Sequence, residues 1–300
     1  MSAEKNSDRD LNKNSLDKAL VVMANTLARK QTQWSVRETK LFLTALSQIK
    51  WRTEDNWVVL NKKEVCEMLE MDPNDISKLR NLFQTVATKS WISFEKEDGW
   101  EDGFLLTKAR GTRTTVSVKF DKDYLPLLDK LEKNFTMFHL KNIAHFKSKH
   151  SITLFQRLKS AYNPNIMINH VKWSLDEIKR IFELDENAYM VKRKINDEKY
   201  SKVFDIYNFE KNVLKKAMKE INEEPTKSGM YIEEIKKLKT KGDKGFVSGY
   251  DIAFSLVRED GTRRYDKLDV IERIKLTDED KKRIEEYEEQ LNIYDFEDVY

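Results

Sequence analysis

The sequence contains very little cysteine, glycine and proline. Its single cysteine, Cys66, excludes a disulfide framework and a cysteine-based metal site. The eight glycines and four prolines, with 36 % charged and 39 % apolar residues, are typical of a helix-rich globular protein. Apolar runs are all shorter than the roughly 18 residues that span a bilayer, and the polar N-terminus MSAEKNSDRD has no hydrophobic signal core. The sequence therefore predicts a cytoplasmic protein without membrane association.

Patterns that would indicate an enzyme are also missing. None of the four histidines forms the i, i+4 pair of a helical zinc site or a His-hydrophobic-His triplet; they are His139, His145, His150 and His170. The glycines do not form the phosphate-binding pattern GxxxxGK[ST]. No Ser–His–Asp or paired-carboxylate arrangement is recognisable in the linear sequence. We therefore predict a protein that is not an enzyme, with no catalytic residues, no metal site and no cofactor.

Charge is distributed unevenly along the chain. The net charge is +3, but residues 265–300 hold 13 acids and 6 bases, a net of −7. Residues 1–264 therefore carry 49 bases and 39 acids, a net of +10. A basic body favours a polyanionic partner, and an acidic tail can compete with that partner or keep the protein soluble. Charge alone does not distinguish nucleic acid from a membrane surface.

Residues 207–222, YNFEKNVLKKAMKEIN, have the most informative pattern. On a helix, one face consists of Phe209, Val213, Leu214, Ala217, Met218 and Ile221, and the opposite face of Asn208, Lys211, Asn212, Lys215, Lys219 and Asn222. Lysines bind phosphates and asparagine can bond to adenine edges, so the polar face suits a helix that docks in a DNA groove. The alternative is an ordinary solvated helix face.

The first half of the chain has the element order of a winged helix. An amphipathic helix is predicted over residues 15–29, and a second begins at a capping box formed by Ser35 and Glu38. A strand at 57–60 is followed by a helix capped by Asn61 and another capped by Asp75. Ile76, Leu79, Leu82, Phe83 and Val86 form the buried arc of that last helix. Strands at 91–96, 104–110 and 114–120 complete the order of a winged helix-turn-helix.

The second half repeats this order. Helices are predicted at 140–147 and 151–162, a strand at 171–173, a helix capped by Ser174, a polar loop at 185–201, and a hairpin with strands 230–238 and 249–257. LNKKEVCEMLEM (60–71) aligns without gaps on WSLDEIKRIFEL (173–184), which favours a tandem repeat. The predicted fold class is α+β, with two tandem winged helix-turn-helix domains, mainly helical with β-hairpin wings.

These patterns predict four regions. Residues 1–14 form a disordered N-terminus, 15–130 an N-terminal winged helix for DNA binding, 131–260 a C-terminal winged helix as the principal DNA-binding domain, and 261–300 an acidic charged tail.

Candidate DNA contacts lie on two helices and two wings. In the second domain they are Lys211, Asn212, Lys215 and Lys219 on the helix, and Lys236, Lys237, Lys239, Lys241 and Lys244 on the wing. In the first domain they are Ser77, Lys78, Arg80, Asn81, Gln84 and Thr88 on the helix, and Arg110 and Arg113 on the wing. The alternatives are a helix face for a protein partner in the first domain and a solubilising hairpin tip in each wing. Lys192, Arg193 and Lys194 are read as solvated loop.

Four segments resemble the replication initiators of theta-replicating, iteron-containing plasmids. They are LVVMANTLARKQTQWSVRETKLFLTALSQI (20–49), with Asn25 and Glu38 at the characteristic polar positions, SKHSITLFQRLKSAYN (148–163), FEKNVLKKAMKEINE (209–223), and MYIEEIKKLKTKGDKGFVSGYDIAFSL (230–256). Two features depart from the family pattern. Glu210 stands where the family often has a basic residue, and KLKTKGDKG replaces the Lys-Gly-Arg pattern usual in the wing.

The resemblance implies a protein that binds directly repeated sequences in double-stranded origin DNA and helps to open the duplex. It further implies recruitment of the host initiator and replicative helicase, and control of plasmid copy number. Dimerisation through the first domain, residues 15–130, and repression of its own gene by a homodimer in equilibrium with a DNA-bound monomer are also implied. Two alternatives remain at this point. One is a winged-helix transcriptional repressor that binds a symmetric operator, and the other is a rolling-circle nicking enzyme.

Overall fold

The computed structural model describes residues 16, 19–29, 34–96, 99–128, 135–194, 200–240 and 246–264. The described residues form two compact units, which divide between His145 and Phe146. The boundary predicted after residue 130 lies before the observed one, because the pairing of residues 135–139 with residues 20–24 was not foreseen. The predicted disordered N-terminus and the acidic tail from residue 265 lie outside the described residues.

The first unit contains fourteen short elements in the described residues. In chain order they are β1 (Leu20–Ala24), α1 (Asn25–Ala28), α2 (Val36–Ser47), a 3-10 helix (Ile49–Trp51), β2 (Trp57–Asn61), α3 (Lys62–Met68), α4 (Ile76–Thr88), β3 (Trp91–Lys96), β4 (Gly99–Phe104), β5 (Leu106–Gly111), β6 (Thr115–Phe120), a 3-10 helix (Lys122–Leu127), β7 (Phe135–His139) and α5 (Lys141–Ala144). Strands β2, β6 and β5 form a three-stranded sheet in that order, and β1–β7 and β3–β4 are separate antiparallel pairs.

Helix starts in the first unit follow the predicted capping residues. The hydroxyl of Ser35 accepts a hydrogen bond from the Glu38 N–H, and the Glu38 carboxylate accepts one from the Ser35 N–H at 2.7 Å. The Asn61 side chain caps α3 and the Asp75 side chain caps α4. These caps satisfy N–H groups that have no partner inside the helix, so the local sequence alone specifies where the helices begin.

The predicted helix over residues 15–29 is wrong. Residues 20–24 form strand β1, which pairs with β7 in a register that joins Leu20 to His139, and only the four residues of α1 are helical. The Asn25 amide oxygen accepts a hydrogen bond from the Thr136 hydroxyl at 2.6 Å, which fixes the end of that strand pair. A partner more than a hundred positions away in the sequence has overridden the helical pattern.

The first wing is the hairpin β5–β6, packed beside β2. The predicted strand at 91–96 is confirmed as β3, and the structure adds β4, which pairs with β3 between α4 and this wing. The predicted buried arc of α4 holds for Leu79, Phe83 and Val86, whereas Ile76 in the first turn is 64 % exposed. Helix α4 therefore packs through its later turns and leaves its N-terminal turn in solvent.

The second unit has a related succession of elements, with an added strand pair between its capped seven-residue helix and its longer helix. In chain order they are α6 (Lys149–Lys159), β8 (Asn169–Ser174), α7 (Leu175–Ile181), β9 (Met190–Lys194), β10 (Tyr200–Phe204), α8 (Ile206–Phe209), a π-helical segment (Glu210–Leu214), α9 (Lys215–Glu223), α10 (Pro225–Ser228), β11 (Met230–Lys239), β12 (Val247–Val257) and β13 (Arg263–Arg264). Strand β12 pairs with β11, β8 and β13.

Two sequence predictions for the chain after residue 130 need correction. The predicted loop at 185–201 contains the hairpin β9–β10, so Lys192, Arg193 and Lys194 lie on a strand. The predicted helix at 140–147 is reduced to the four residues of α5, which belong to the first unit. Strands β1, β4 and β7 were not predicted either, so the protein contains more strands than expected. The predicted capping box of Ser174 and Glu177 is confirmed.

The aligned segments 60–71 and 173–184 fold alike. In each unit a strand leads directly into a capped seven-residue helix, α3 or α7. Two residues past the end of each helix lies a glutamate with φ of 51°, Glu70 after α3 and Glu183 after α7. The hydrogen bonds that follow the two helix ends also correspond. The Met71 N–H donates to the Cys66 carbonyl, and the Leu184 N–H donates to the Lys179 carbonyl. A positive φ is uncommon outside glycine, so the shared value indicates one local design used twice.

Candidate nucleic-acid interface

Residues 206–223 form one continuous helical rod, here called the lysine helix, made of α8, the π-helical segment and α9. Asp205 caps its first turn by accepting a hydrogen bond from the Asn208 N–H. Its predicted apolar face is buried at Phe209, Val213, Leu214, Ala217 and Ile221, all at most 1 % exposed, while Met218 is half-buried. The helix is therefore held in the second unit by one face.

The opposite face of the lysine helix is cationic. Lys211, Lys215 and Lys219 are exposed as predicted, and Asn212 is half-buried beside them. Lys216 is exposed as well, although the sequence analysis did not select it. Within the described part of the chain, none of these four lysines forms a salt bridge. Four uncompensated ammonium groups along one rod make a surface that attracts an anionic polymer.

The π-helical segment turns one carboxylate of the lysine helix inward. Glu210 is 8 % exposed, and its Oε1 accepts a hydrogen bond from the Tyr250 hydroxyl at 2.9 Å. The same oxygen lies 2.9 Å from Lys237 Nζ. Glu210, which stands where the resembled family often has a basic residue, is thus a buried acid paired with a wing lysine.

The C-terminal end of the lysine helix is attached to its surroundings by two side chains. The Asn222 amide donates to the Ile232 carbonyl and accepts from the Ile232 N–H, both at 2.8 Å, which satisfies the outer edge of β11. The Glu220 carboxylate accepts from the N–H groups of Lys147 at 2.6 Å and Ser148 at 3.2 Å, ahead of α6. Asn222, predicted on the polar outer face, is therefore an internal tie to the strand.

The second wing is the hairpin β11–β12. Lys236, Lys237 and Lys239 are all exposed on it, and Lys237 forms a salt bridge with Glu210. Lys241 and Lys244, predicted at the tip, lie outside the described residues. The wing therefore presents fewer uncompensated charges along its described length than the linear sequence indicated.

In the first unit, all six predicted contacts of α4 are exposed. They are Ser77, Lys78, Arg80, Asn81, Gln84 and Thr88. Lys78 is paired with the capping Asp75 at 2.7 Å, and this exposed pair lowers the pKa of the Asp75 carboxyl. The Thr88 hydroxyl donates to the Gln84 carbonyl at 2.9 Å, so it is already engaged. Arg80, Asn81 and Gln84 remain the groups best placed to meet a partner.

The first wing carries two predicted arginines. The guanidinium of Arg110 stacks over the Trp57 ring at 4.2 Å from its centroid, which orients it on the sheet. Arg113 is exposed at the turn, where the Thr112 hydroxyl accepts hydrogen bonds from the N–H groups of residues 114 and 115. This turn is closed by its own side chain and holds Arg113 at the tip.

Among the described residues, no group of three histidine, cysteine or acidic side chains is arranged to hold a metal ion. No helix in those same segments is long and apolar enough to cross a bilayer.

The sequence and structure resemble known initiators. Residues 20–159 match the sequence model of the initiator replication protein WH1 domain. The Pi initiator protein, solved in complex with iteron DNA, is 17 % identical, with a TM-score of 0.58 over 80 % of this chain and 98 % of that chain. Domains 2 and 3 of RctB are 10 % identical over 75 % of this chain and 85 % of theirs, and their TM-score of 0.42 supports no argument. No curated protein matches the sequence.

At 17 % identity the likeness to the Pi initiator protein establishes a shared fold, and that fold confirms the predicted α+β, winged-helix class. The match to the family rests on the sequence itself and confirms the predicted resemblance to replication initiators. Residues 20–159 are therefore similar to the WH1 domain of initiator replication proteins.

Proposed function

We propose that this protein initiates plasmid replication by binding directly repeated sequences in double-stranded origin DNA through two tandem winged helices. The observation that carries the proposal is the cationic face of the lysine helix, which lies in a unit built like the WH1 unit before it. In both units a capped seven-residue helix precedes a longer helix that starts at an Asp-Ile pair, Asp75-Ile76 or Asp205-Ile206. The Pi initiator protein of similar fold was crystallised with iteron DNA, which supports the same ligand class here.

The lysine helix is the proposed reader of the DNA groove in the second unit. Lys211, Lys215, Lys216 and Lys219 would bind phosphates. Asn212 would read bases, since the Asn208 amide on the same face is bonded to Asp205. Helix α4 would meet DNA with Arg80, Asn81 and Gln84. The wings would follow the backbone through Lys236 and Lys239 in one unit and Arg113 in the other.

The further steps of initiation belong to the same proposal. Binding to adjacent repeats would help to open the duplex, and the protein would then recruit the host initiator and replicative helicase in the cytoplasm. It would act without enzymatic activity of its own, and a homodimer would repress its own gene and limit copy number. These steps rest on the similarity of residues 20–159 to the WH1 domain of initiator replication proteins.

A plasmid maintenance assay tests this function. A selectable DNA circle without another origin should replicate when it carries the coding region and its flanking DNA, because the protein supplies initiation. Changing Lys215 and Lys219 together to alanine should abolish transformants, and changing the α3 residue Lys63, which pairs with Glu67, should not. A protein that only represses transcription would give no transformants even with the natural sequence.

A further inference from the structure

Lys237 and Tyr250 face the same carboxylate. They are register partners on β11 and β12, so their side chains project from one face of the second wing. That face meets the lysine helix at Glu210, whose Oε1 is 2.9 Å from both the Lys237 Nζ and the Tyr250 hydroxyl. Each of the three groups belongs to a different element, so together they join the helix to both strands of the wing.

The chemistry of the three groups favours a permanent contact. A carboxylate that is almost fully buried is stable only when it is paired and hydrogen-bonded. Burial, and secondarily the bond to Glu210, raise the pKa of the Tyr250 hydroxyl, so it remains a donor throughout the physiological range. Removing either partner of such a pair leaves a buried charge without compensation, which is costly.

A second contact between the lysine helix and β11 lies nearer the start of the strand. The Asn222 amide holds the Ile232 main chain, next to the irregularity in β11 that falls between Ile232 and Glu234. Strand β11 is thus attached to the lysine helix at Ile232 and again at Lys237. Two attachment points on one strand fix both its distance from the helix and its direction.

The pairing also changes the charge available to DNA. Lys211 and Lys215 carry ammonium groups with no acidic partner among the described residues, whereas the Lys237 ammonium is neutralised by Glu210. A lysine whose charge is paired with a carboxylate of the same protein displaces no counterion from a phosphate. It therefore adds nothing to the salt dependence of binding.

From this geometry, we infer that Glu210 is a positioning residue that fixes the second wing against the lysine helix and withholds the Lys237 charge from the DNA backbone. The inference rests on the proposed function, because it requires the lysine helix to face DNA. Its consequence is specificity. Each cation left free on the wing strengthens binding to any sequence alike, whereas a wing at a fixed distance favours the DNA shape that matches it.

The test compares Glu210→Gln, the neutral double variant Glu210→Gln with Lys237→Gln, and Lys215→Met with the natural protein. Fluorescence anisotropy is measured across a salt series on two duplexes of equal length, one recovered by selection from random DNA and one of unrelated sequence. Glu210→Gln should steepen the slope of log affinity against log salt by about one unit, because Lys237 becomes free to bind phosphate. Its ratio of selected to unrelated binding should fall.

The double variant should return to the natural slope, and Lys215→Met should flatten it by about one unit. An unchanged slope and an unchanged binding ratio in folded Glu210→Gln would overturn the inference. Should Glu210→Gln fail to fold by circular dichroism, Lys237→Met decides: a retained slope supports the inference, and a loss equal to that of Lys215→Met overturns it. A natural protein with no preference for the selected duplex would instead contradict the proposed function.

Discussion

At the scale of single residues, what surrounds a charge decides what it can do. His150 lies at the start of α6, half-buried, with its ring edge against Phe182 at a centroid distance of 5.6 Å. Burial and, secondarily, the neighbouring Lys149 charge lower its pKa to about 4 from an ordinary value of 6.5. The folded protein therefore keeps this ring neutral at pH values where the unfolded chain protonates it.

The sign of the resulting pH dependence follows from linkage. Between pH 6.5 and 4 the unfolded state binds the extra proton, so the stability that neutral His150 contributes is complete above 6.5 and falls as pH decreases. At pH 5 we expect a loss of roughly 1–2 kcal/mol in the free energy of unfolding from this group, since one pKa unit corresponds to about 1.4 kcal/mol. Urea unfolding at pH 7 and pH 5 measures it.

His150→Gln is the matched control, because glutamine does not titrate and carboxylates affect both proteins equally. The variant should lose less stability than the natural protein between the two pH values. Equal losses would contradict the assigned pKa.

The lysines that matter could be chosen only in part from the sequence. Helical spacing placed Lys211, Lys215 and Lys219 correctly on an exposed face. It did not reveal the pairing of Lys237 with Glu210, since the two residues are distant in the sequence and meet only where β11 packs against the lysine helix. Lys216 was missed because the π-helical segment adds a residue to the turn before it, which widens the exposed arc beyond that of a regular helix.

At the scale of elements, two of the three asparagines of the lysine helix, Asn212 and Asn222, have different roles. The Asn222 side chain is bonded twice to the Ile232 main chain, whereas the Asn212 side chain has no hydrogen bond within the described residues. Asn222→Ala should lower the free energy of unfolding by about 1–3 kcal/mol, because the buried residue Ile232 loses the partners of its N–H and its carbonyl.

Asn212→Ala is the control on the same helix. It should leave stability within about 0.5 kcal/mol, as surface substitutions do, and weaken binding to the selected duplex. Thermal unfolding and anisotropy measured on both variants separate the two effects. A stable Asn222→Ala protein would contradict the structural role of the tie between helix and strand.

Elements were predictable where their signals are local. The caps at Ser35, Asn61, Asp75 and Ser174 marked the helix starts, because a capping side chain acts within three residues of its own position. Strand β1 was mistaken for a helix since Leu20–Ala24 reads equally well in both periods, and only its remote partner β7 decides between them. Strand β4 was missed and the pair β9–β10 was taken for a loop, because these polar strands lack the alternation of a half-buried sheet.

At the scale of the whole molecule, opposite charges occupy different parts of the sequence. Residues 1–264 carry a net charge of +10 and residues 265–300 a net charge of −7. If the acidic segment competes with phosphates for the basic surfaces, its deletion should tighten binding to unrelated DNA and steepen the salt dependence. Anisotropy on the unrelated duplex measures this.

A deletion of the same segment rejoined to a neutral Gly/Ser sequence of equal length is the control for chain length. It should behave like the simple deletion. No change in either protein would assign the acidic segment to another role.

The central claim is that the protein recognises direct repeats of double-stranded DNA. The most direct test is selection of bound fragments from random and plasmid DNA, followed by footprinting of the recovered sites. We predict several repeats in the same orientation, protected in one phase along the duplex. Protection of a single inverted repeat over a promoter would contradict the account and indicate a transcriptional repressor instead.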